Sequence, residues 1–285
     1  MAFDPLNSAK ILQSALPYMQ RYSGRTIVIK YGGHAMINEE LADSFARDIA
    51  LMQQVGIHPV VVHGGGPQIN QALETYGIKG QFINGLRVTD KKTVEIVEMV
   101  LAGKLNKQIV SSLNLAGGCA VGVCGRDAKL VRARKVSGQD GVDLGFVGEP
   151  EFVDPRLLTA FETTGIIPVI APVASDKAGQ SYNINADVMA GAIAAAIGAV
   201  RLLMLTDIAG VLDADKNLLK QLSLDDCDRL LQAGVINGGM IPKIETCKKA
   251  VESGVEAAAI IDGRVENAVL LELFTDHGVG TIIAR

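Results

Sequence analysis

At 285 residues the chain is long enough for one large domain or two lobes around a substantial core, and 48% hydrophobic against 20% charged residues describes a packed globular protein, not a disordered one. Its 27 Lys and Arg against 31 Asp and Glu give a formal charge of −4. That balance excludes a nucleic-acid binder, which needs surplus cations to neutralise phosphate.

In chain order, residues 1–24 stand apart from the rest of the chain. "PLNSAKILQSALPYMQRYSG" spaces Ile11, Leu12, Ala15 and Leu16 for an amphipathic helix that Pro17 is expected to kink or end. It is either a helix packed on its own domain or an arm that docks on another subunit. "TIVIKY" (26–31) reads as a buried strand, followed by a helix from about Asn38 with Leu41, Phe45, Ile49 and Met52 at helical spacing. "PVVVH" (59–63) is the next strand, with a short helix from Pro67. A long helical pattern over 91–115 stops at Gly117-Gly118, ahead of the strand "CAVGVC". "GIIPVIAPV" (165–173), "RLLMLTD" (201–207) and "AAAIIDG" (257–263) are further buried strands, with helix-forming segments between them. Continuous apolar strands alternating with helices predict an α/β fold, a three-layer sandwich with a mostly parallel central sheet covered on both faces. "KLVRARKV" with "DGVDLGFVGEPEFVD", and "GVLDADKNLLKQL" with its Asp215-Lys216-Asn217 turn, break the rhythm and read as hairpins. No linker composition marks a boundary, so any two lobes are expected to share one sheet.

The run over 188–200 stops at Arg201, well short of the ~20 residues of a membrane span. "MAFDPLNSAK" lacks the charged-then-apolar order of a signal peptide, and the expected location is cytoplasmic, with no membrane or nucleic-acid partner. Cys119, Cys124, Cys227 and Cys247 form no C-x-x-C pair and read as free thiols. His34, His58, His63 and His277 show no metal spacing, so no metal held by protein ligands is expected.

Two glycine turns carry the chemistry. "KYGGHAM" (30–36) and "VVVHGGGPQIN" (60–70) each follow a strand directly, which is how backbone N–H groups and a helix N-terminus are brought to an anion. Contiguous glycines with Pro67 do not fit the G-x-G-x-x-G of a dinucleotide site. Lys30 precedes its glycines, unlike a Walker lysine. Two such turns at strand carboxyl ends suit a phosphoryl group and its acceptor. Taken singly, Lys30 reads equally as a lysine snorkelling from a strand end, Lys243 as an exposed helix lysine, Asp187 as a first-turn helix acid and Arg87 as a loop arginine.

Together, "VIKYGGHAM", "VVVHGGGPQIN", "FINGLRVTD", "YNINADVMAGAIA", "LLMLTDIAGVL" and "GGMIPKIETCKKAV" resemble, in order and context, the N-acetyl-L-glutamate kinase family of the amino acid kinase superfamily, from about Thr26 to the C-terminus. The N-terminal extension resembles that of its arginine-inhibited, hexameric branch. The resemblance implies a carbamate kinase-like fold and transfer of the ATP γ-phosphoryl, with Mg²⁺, to the side-chain carboxylate of N-acetyl-L-glutamate. It implies catalytic roles for Lys30, Lys243 and Asp187, phosphoryl binding at Gly32, Gly33 and Gly64, and acceptor binding at Gly65, Gly66, Arg87 and Asn183. ATP would meet Asp207, Gly210, Val211, Leu212 and Met240. Glu272 and Gly278 match contacts of an arginine inhibitor, although Ala259 stands where that branch often has histidine. The implied division is a 1–24 arm, a 25–195 acetylglutamate and dimerisation lobe, and a 196–285 ATP lobe, assembled as a trimer of dimers. Alternatives at this point are another amino acid or acyl-phosphate-forming kinase of the superfamily, or a non-catalytic amino-acid sensor.

Overall fold

The computed structural model describes residues 5–136, 138, 141–276 and 278–285; the first four residues of the arm and His277 lie outside the described residues. In chain order it runs α1 (Pro5–Tyr22), β1 (Thr26–Tyr31), α2 (Glu39–Gln54), β2 (His58–His63), α3 (Gly66–Thr75), β3 (Phe82–Ile83), β4 (Leu86–Arg87), α4 (Lys91–Glu98), α5 (Asn106–Leu115) and β5 (Ala120–Cys124). Next come β6 (Val131–Lys135), β7 (Val147–Val153), α6 (Arg156–Thr164), β8 (Ile167–Ala171), β9 (Val173–Ser175), β10 (Ser181–Ile184) and α7 (Ala186–Ala196). The chain closes with β11 (Arg201–Thr206), β12 (Gln221–Ser223), α8 (Leu224–Gln232), α9 (Ile241–Glu252), β13 (Ala257–Asp262), α10 (Ala268–Leu273) and β14 (Thr281–Ala284).

Eight strands form one sheet in the order β12-β14-β13-β11-β1-β2-β8-β5, parallel from β13 through β5. β14 runs antiparallel to β13. β1 is central and pairs with β2 on one side and β11 on the other, so the earlier and later halves of the chain share the sheet, as its sequence anticipates. Side chains alternate across the pleat. Ile27, Ile29 and Tyr31 enter one core with Phe45, Ile49 and Leu113, while Val28 enters the other with Met189, Ile193, Ile244 and Val251. By this alternation Lys30 belongs to the second face, the one that α7 and α9 cover.

β6, β7, β9 and β10 close into a small barrel, in which β6 and β7 form the antiparallel hairpin read from the sequence. The second expected hairpin is present only as a bridge between Leu212 and Leu218, with Lys216 at φ 67 in its turn.

One expectation is corrected and one is narrowed. The 91–115 helix is not uniformly α-helical: Met99–Leu105 is a π-helical segment between α4 and α5. Of the two outcomes expected at Pro17, the helix does not end there: α1 continues to Tyr22. The missing proline N–H costs one bond, and the carbonyl it would have met belongs to exposed Gln13, which water can satisfy.

Candidate active site

The carboxyl ends of β1 and β2 and the first turns of α3, α7 and α9 converge on one cluster. Asp187 lies in the first turn of α7, capped by Asn185, whose Oδ1 accepts from the N–H groups of Asp187 (2.8 Å) and Val188 (3.3 Å). Lys30 Nζ is 3.0 Å from Asp187 Oδ1, and Lys243 Nζ is 2.7 Å from Oδ2. Burial alone would raise the Asp187 pKa, but the Lys30 and Lys243 ammonium groups hold it below the usual carboxylate range. The carboxylate therefore sits between two cations and uses one oxygen on each.

Packing brings the three together. A Cβ on Gly191 would lie 2.7 Å from Thr246 Cγ2, so a glycine one turn after Asp187 lets α7 approach α9 near Lys243. Gly32 serves the same end for Lys30: a Cβ there would lie 2.7 Å from its Nζ. The contact of Gly191 with Thr246 joins segments 55 residues apart, so it is not readable from either alone.

The two glycine turns are neighbours, since a Cβ on Gly64 would lie 3.9 Å from Gly32 Cα. Gly64, however, donates its N–H to the Tyr31 carbonyl at 2.7 Å. Its expected role as a phosphoryl donor is corrected on that ground: pairing of β1 with β2 extends one residue further and uses the donor. Gly65 is the N-cap of α3 and Pro67 occupies its first turn, with no side-chain cap, so the N–H groups of the helix start remain for a ligand. At the first turn, Asp207 Oδ1 accepts from the His34 N–H at 2.6 Å, which ties β11 to the Gly32-Gly33 turn.

Beside the glycine triplet lies a cavity of about 170 Å³, whose lining includes Gly64–Gly66, Arg87, Asn183 and Ala186. Arg87 is 6% exposed. Its Nη2 donates to Asn70 Oδ1 (2.6 Å) and the Gly66 carbonyl (3.3 Å), and its guanidinium lies over the Phe82 ring. Its Nη1 is buried with no partner among the described residues, and burial lowers its pKa. A buried guanidinium nitrogen without an acceptor is costly, and a carboxylate is the group its planar fork matches. Asn183 is held through its Nδ2, which donates to Thr89 Oγ1 at 3.3 Å; Thr89 in turn donates to the Arg87 carbonyl at 2.8 Å. Thr89, fully buried, thus joins the two residues expected at the acceptor and was missed in the sequence, although it ends "GLRVT" within the quoted "FINGLRVTD".

On the other side of the triad, Asp207 and Leu212 are exposed and Met240 is partly buried. Gly210 is required by a close approach, because a Cβ would lie 2.6 Å from Thr281 Oγ1. Val211 lies inward of Leu212. Its side chain is in the core, its N–H donates to Thr281 Oγ1 at 2.8 Å, and its carbonyl accepts from Leu219.

Glu272 and Gly278 lie away from this cluster, in a cavity of about 370 Å³ between the end of α1 and the sheet, with Tyr18, Arg21, Arg201 and Asp276. Glu272 Oε2 accepts from the Val279 N–H at 2.9 Å, and burial raises its pKa against that bond. Gly278, at φ 53, would place a Cβ 2.6 Å from the same oxygen. Ala259 pairs across the sheet with Leu203 and Ile282, two residues of this cavity's lining.

Residues 25–262 match the amino acid kinase family. The chain is 58% identical to the acetylglutamate kinase of Rhodospirillum rubrum over 98% of its length and 93% of the relative's. It is 56% identical to that of Zymomonas mobilis over 98% and 95%. Among solved structures, the N-acetylglutamate synthase of Neisseria gonorrhoeae, complexed with coenzyme A and N-acetyl-glutamate, superposes with a TM-score of 0.86 at 25% identity, over 97% of this chain. The chain spans 63% of that longer protein. The carbamate kinase of Giardia lamblia bound to AMP-PNP shares the fold, with a TM-score of 0.66 at 15% identity over 92% of this chain and 99% of its own.

Proposed function

The chain belongs to the amino acid kinase family, and on that premise we propose that it transfers the γ-phosphoryl of ATP to the side-chain carboxylate of N-acetyl-L-glutamate, giving N-acetylglutamyl 5-phosphate in arginine biosynthesis. The observation that carries this reading is the Lys30–Asp187–Lys243 cluster beside two glycine turns and a cavity holding an unpartnered arginine nitrogen. A carboxylate is already ionised at neutral pH, so the reaction needs no strong base. The obstacle is repulsion between an anionic nucleophile and an anionic phosphate, and the remedy is charge neutralisation with positioning. Lys30 and Lys243 supply the charge, and Asp187 holds both ammonium groups at one place. Both Asp187 oxygens are engaged by lysines, so it does not fit a metal ligand. Mg²⁺ would be held mainly by the oxygens of the nucleotide phosphates, which suit it, and would offset their charge. We assign 25–195 to the acceptor lobe and 196–285 to the ATP lobe. The test is an ADP-release assay with N-acetylglutamate, glutamate, aspartate and carbamate; turnover confined to another acceptor would overturn the assignment.

Arg87→Lys is expected to raise KM for N-acetylglutamate by roughly tenfold or more while KM for ATP changes little, because the lysine lacks the bidentate fork. Equal weakening of both substrates would show a general structural role.

We further propose arginine as an inhibitor bound at the Glu272–Gly278 cavity, where the Glu272 and Asp276 carboxylates offer acceptors for a cationic ligand. A neighbouring structure, the gonococcal N-acetylglutamate synthase, was solved with coenzyme A and L-arginine. Ala259, which pairs with Leu203 and Ile282 of the lining, stands where the resemblance associates a histidine with inhibition. The same cavity meets α1 through Tyr18, which donates to Asp276 Oδ1. Along α1, Ile11, Leu12 and Leu16 are 58%, 65% and 50% exposed, and burying each fully against a second arm would contribute ~1.5–3 kcal/mol. Deleting residues 1–22 is expected to leave an active species smaller than the parent by light scattering and to weaken arginine inhibition. An unchanged hexamer, or a full-length dimer, would remove the arm from assembly.

A further inference from the structure

One buried titratable group beside the acceptor cavity has no part in charge neutralisation. His63 ends β2, is fully buried, and immediately precedes the glycine triplet. Its Nδ1 lies 2.8 Å from the Gly64 carbonyl oxygen. A carbonyl only accepts, so Nδ1 carries the proton and Nε2 the lone pair. Nε2 in turn lies 3.2 Å from Asn106 Nδ2, which also donates to the Val169 carbonyl at 2.9 Å. Lys107 Nζ donates to Asn106 Oδ1 at 3.1 Å, which fixes the amide with its NH₂ toward the imidazole. Burial lowers the imidazole pKa to about 4, so the ring is neutral near pH 7 and this tautomer persists.

The π-helical segment explains how Asn106 reaches the site. Its backbone N–H donates to the Leu101 carbonyl, an i→i+5 bond that stacks residues 101 and 106 one turn apart. Leu101 and Leu105 press on the same turn: a Cβ on Gly65 would lie 2.5 and 2.7 Å from their Cδ2 atoms.

We propose that His63, oriented by Asn106, is a positioning residue for the acceptor: by holding the Gly64 carbonyl it turns the Gly65 N–H toward the carboxylate of the bound substrate. The carbonyl of residue 64 and the N–H of residue 65 belong to one planar trans peptide and point in opposite directions. Fixing the first toward the imidazole therefore aims the second away from it. The Gly64 N–H is already bonded to Tyr31, so Gly65 supplies the donor that Gly64 does not. This role rests on the acetylglutamate kinase reading.

The test combines kinetics with a crystal structure of the full chain bound to N-acetylglutamate. His63→Leu is expected to raise KM for N-acetylglutamate about tenfold, the equivalent of one lost oriented hydrogen bond, with KM for ATP within about twofold. His63→Asn, which keeps a donor near the Nδ1 position, is expected to recover most of the loss. Asn106→Leu is expected to move the same KM in the same direction. In the complex, the Gly65 nitrogen is expected within hydrogen-bond distance of a substrate carboxylate oxygen. A Gly65 N–H aimed away from the ligand, or a parallel rise of both KM values, overturns the role. Because the crystal readout needs no variant, it decides the matter even where His63→Leu does not fold. Parental turnover with N-acetylglutamate is measured separately, so failure of the substrate assignment is distinguishable from failure of this role.

Discussion

Lys30→Ala and Lys243→Ala are each expected to lower kcat by roughly 10²–10³-fold, the range seen when one preorganised electrostatic group is removed from a developing charge. Lys30 is 8% exposed and paired with Asp187, so in its proposed role the ammonium would stabilise transition-state charge without reorganising. Its pairing with Asp187 adds a second signature. The three side chains act as one unit, so the Lys30→Ala/Lys243→Ala double variant is expected to lose less than the product of the single losses. Steady-state kinetics with circular dichroism on each variant checks this. A folded single variant with near-parental turnover would remove that lysine from the chemistry.

The strands were legible because parallel strands covered on both faces are continuous apolar runs, as "TIVIKY", "PVVVH" and "RLLMLTD" are. The glycine turns were legible for a related reason: they sit where such a run ends and a helix or turn begins. What the sequence withheld depends on contacts between distant segments. Asp187 looked like an ordinary first-turn acid until packing of α7 on α9, through Gly191 and Thr246, set it against Lys243. The loss of the Gly64 donor follows from the register of β1 against β2, which no single strand encodes. The π-helical segment escaped because one extra residue in a turn barely disturbs apolar spacing over a 25-residue helical pattern. The "TDIAGVL" motif likewise does not show which of its residues face outward: Leu212 is exposed, while the Val211 side chain fills the core.

Asp187→Ala is expected to be the most damaging single change, because it acts on stability and on catalysis together. Removing it leaves two largely buried ammonium groups facing each other without a counter-charge. Breaking a buried pair in this way costs about 3–5 kcal/mol. Asp187→Asn keeps the shape and the α7 cap but not the charge, and separates the two effects. In that variant the two ammonium groups face each other with no counter-charge between them. Turnover, which in the proposed mechanism uses both ammonium groups at one place, is therefore expected to fall well below the parent's even where the variant folds. In the parent the sign of the stability linkage is opposite to that of a raised pKa. The Asp187 carboxyl is held below its unfolded value, so its contribution is fully present above the ordinary carboxylate range and is lost as pH falls through the lower folded value. Urea denaturation of parent and Asp187→Asn across pH 3–8 measures this directly: the stability gap is expected to be widest near neutrality and to narrow on acidification. A gap independent of pH, with unchanged turnover, would mean that Asp187 does not hold the two lysines for catalysis.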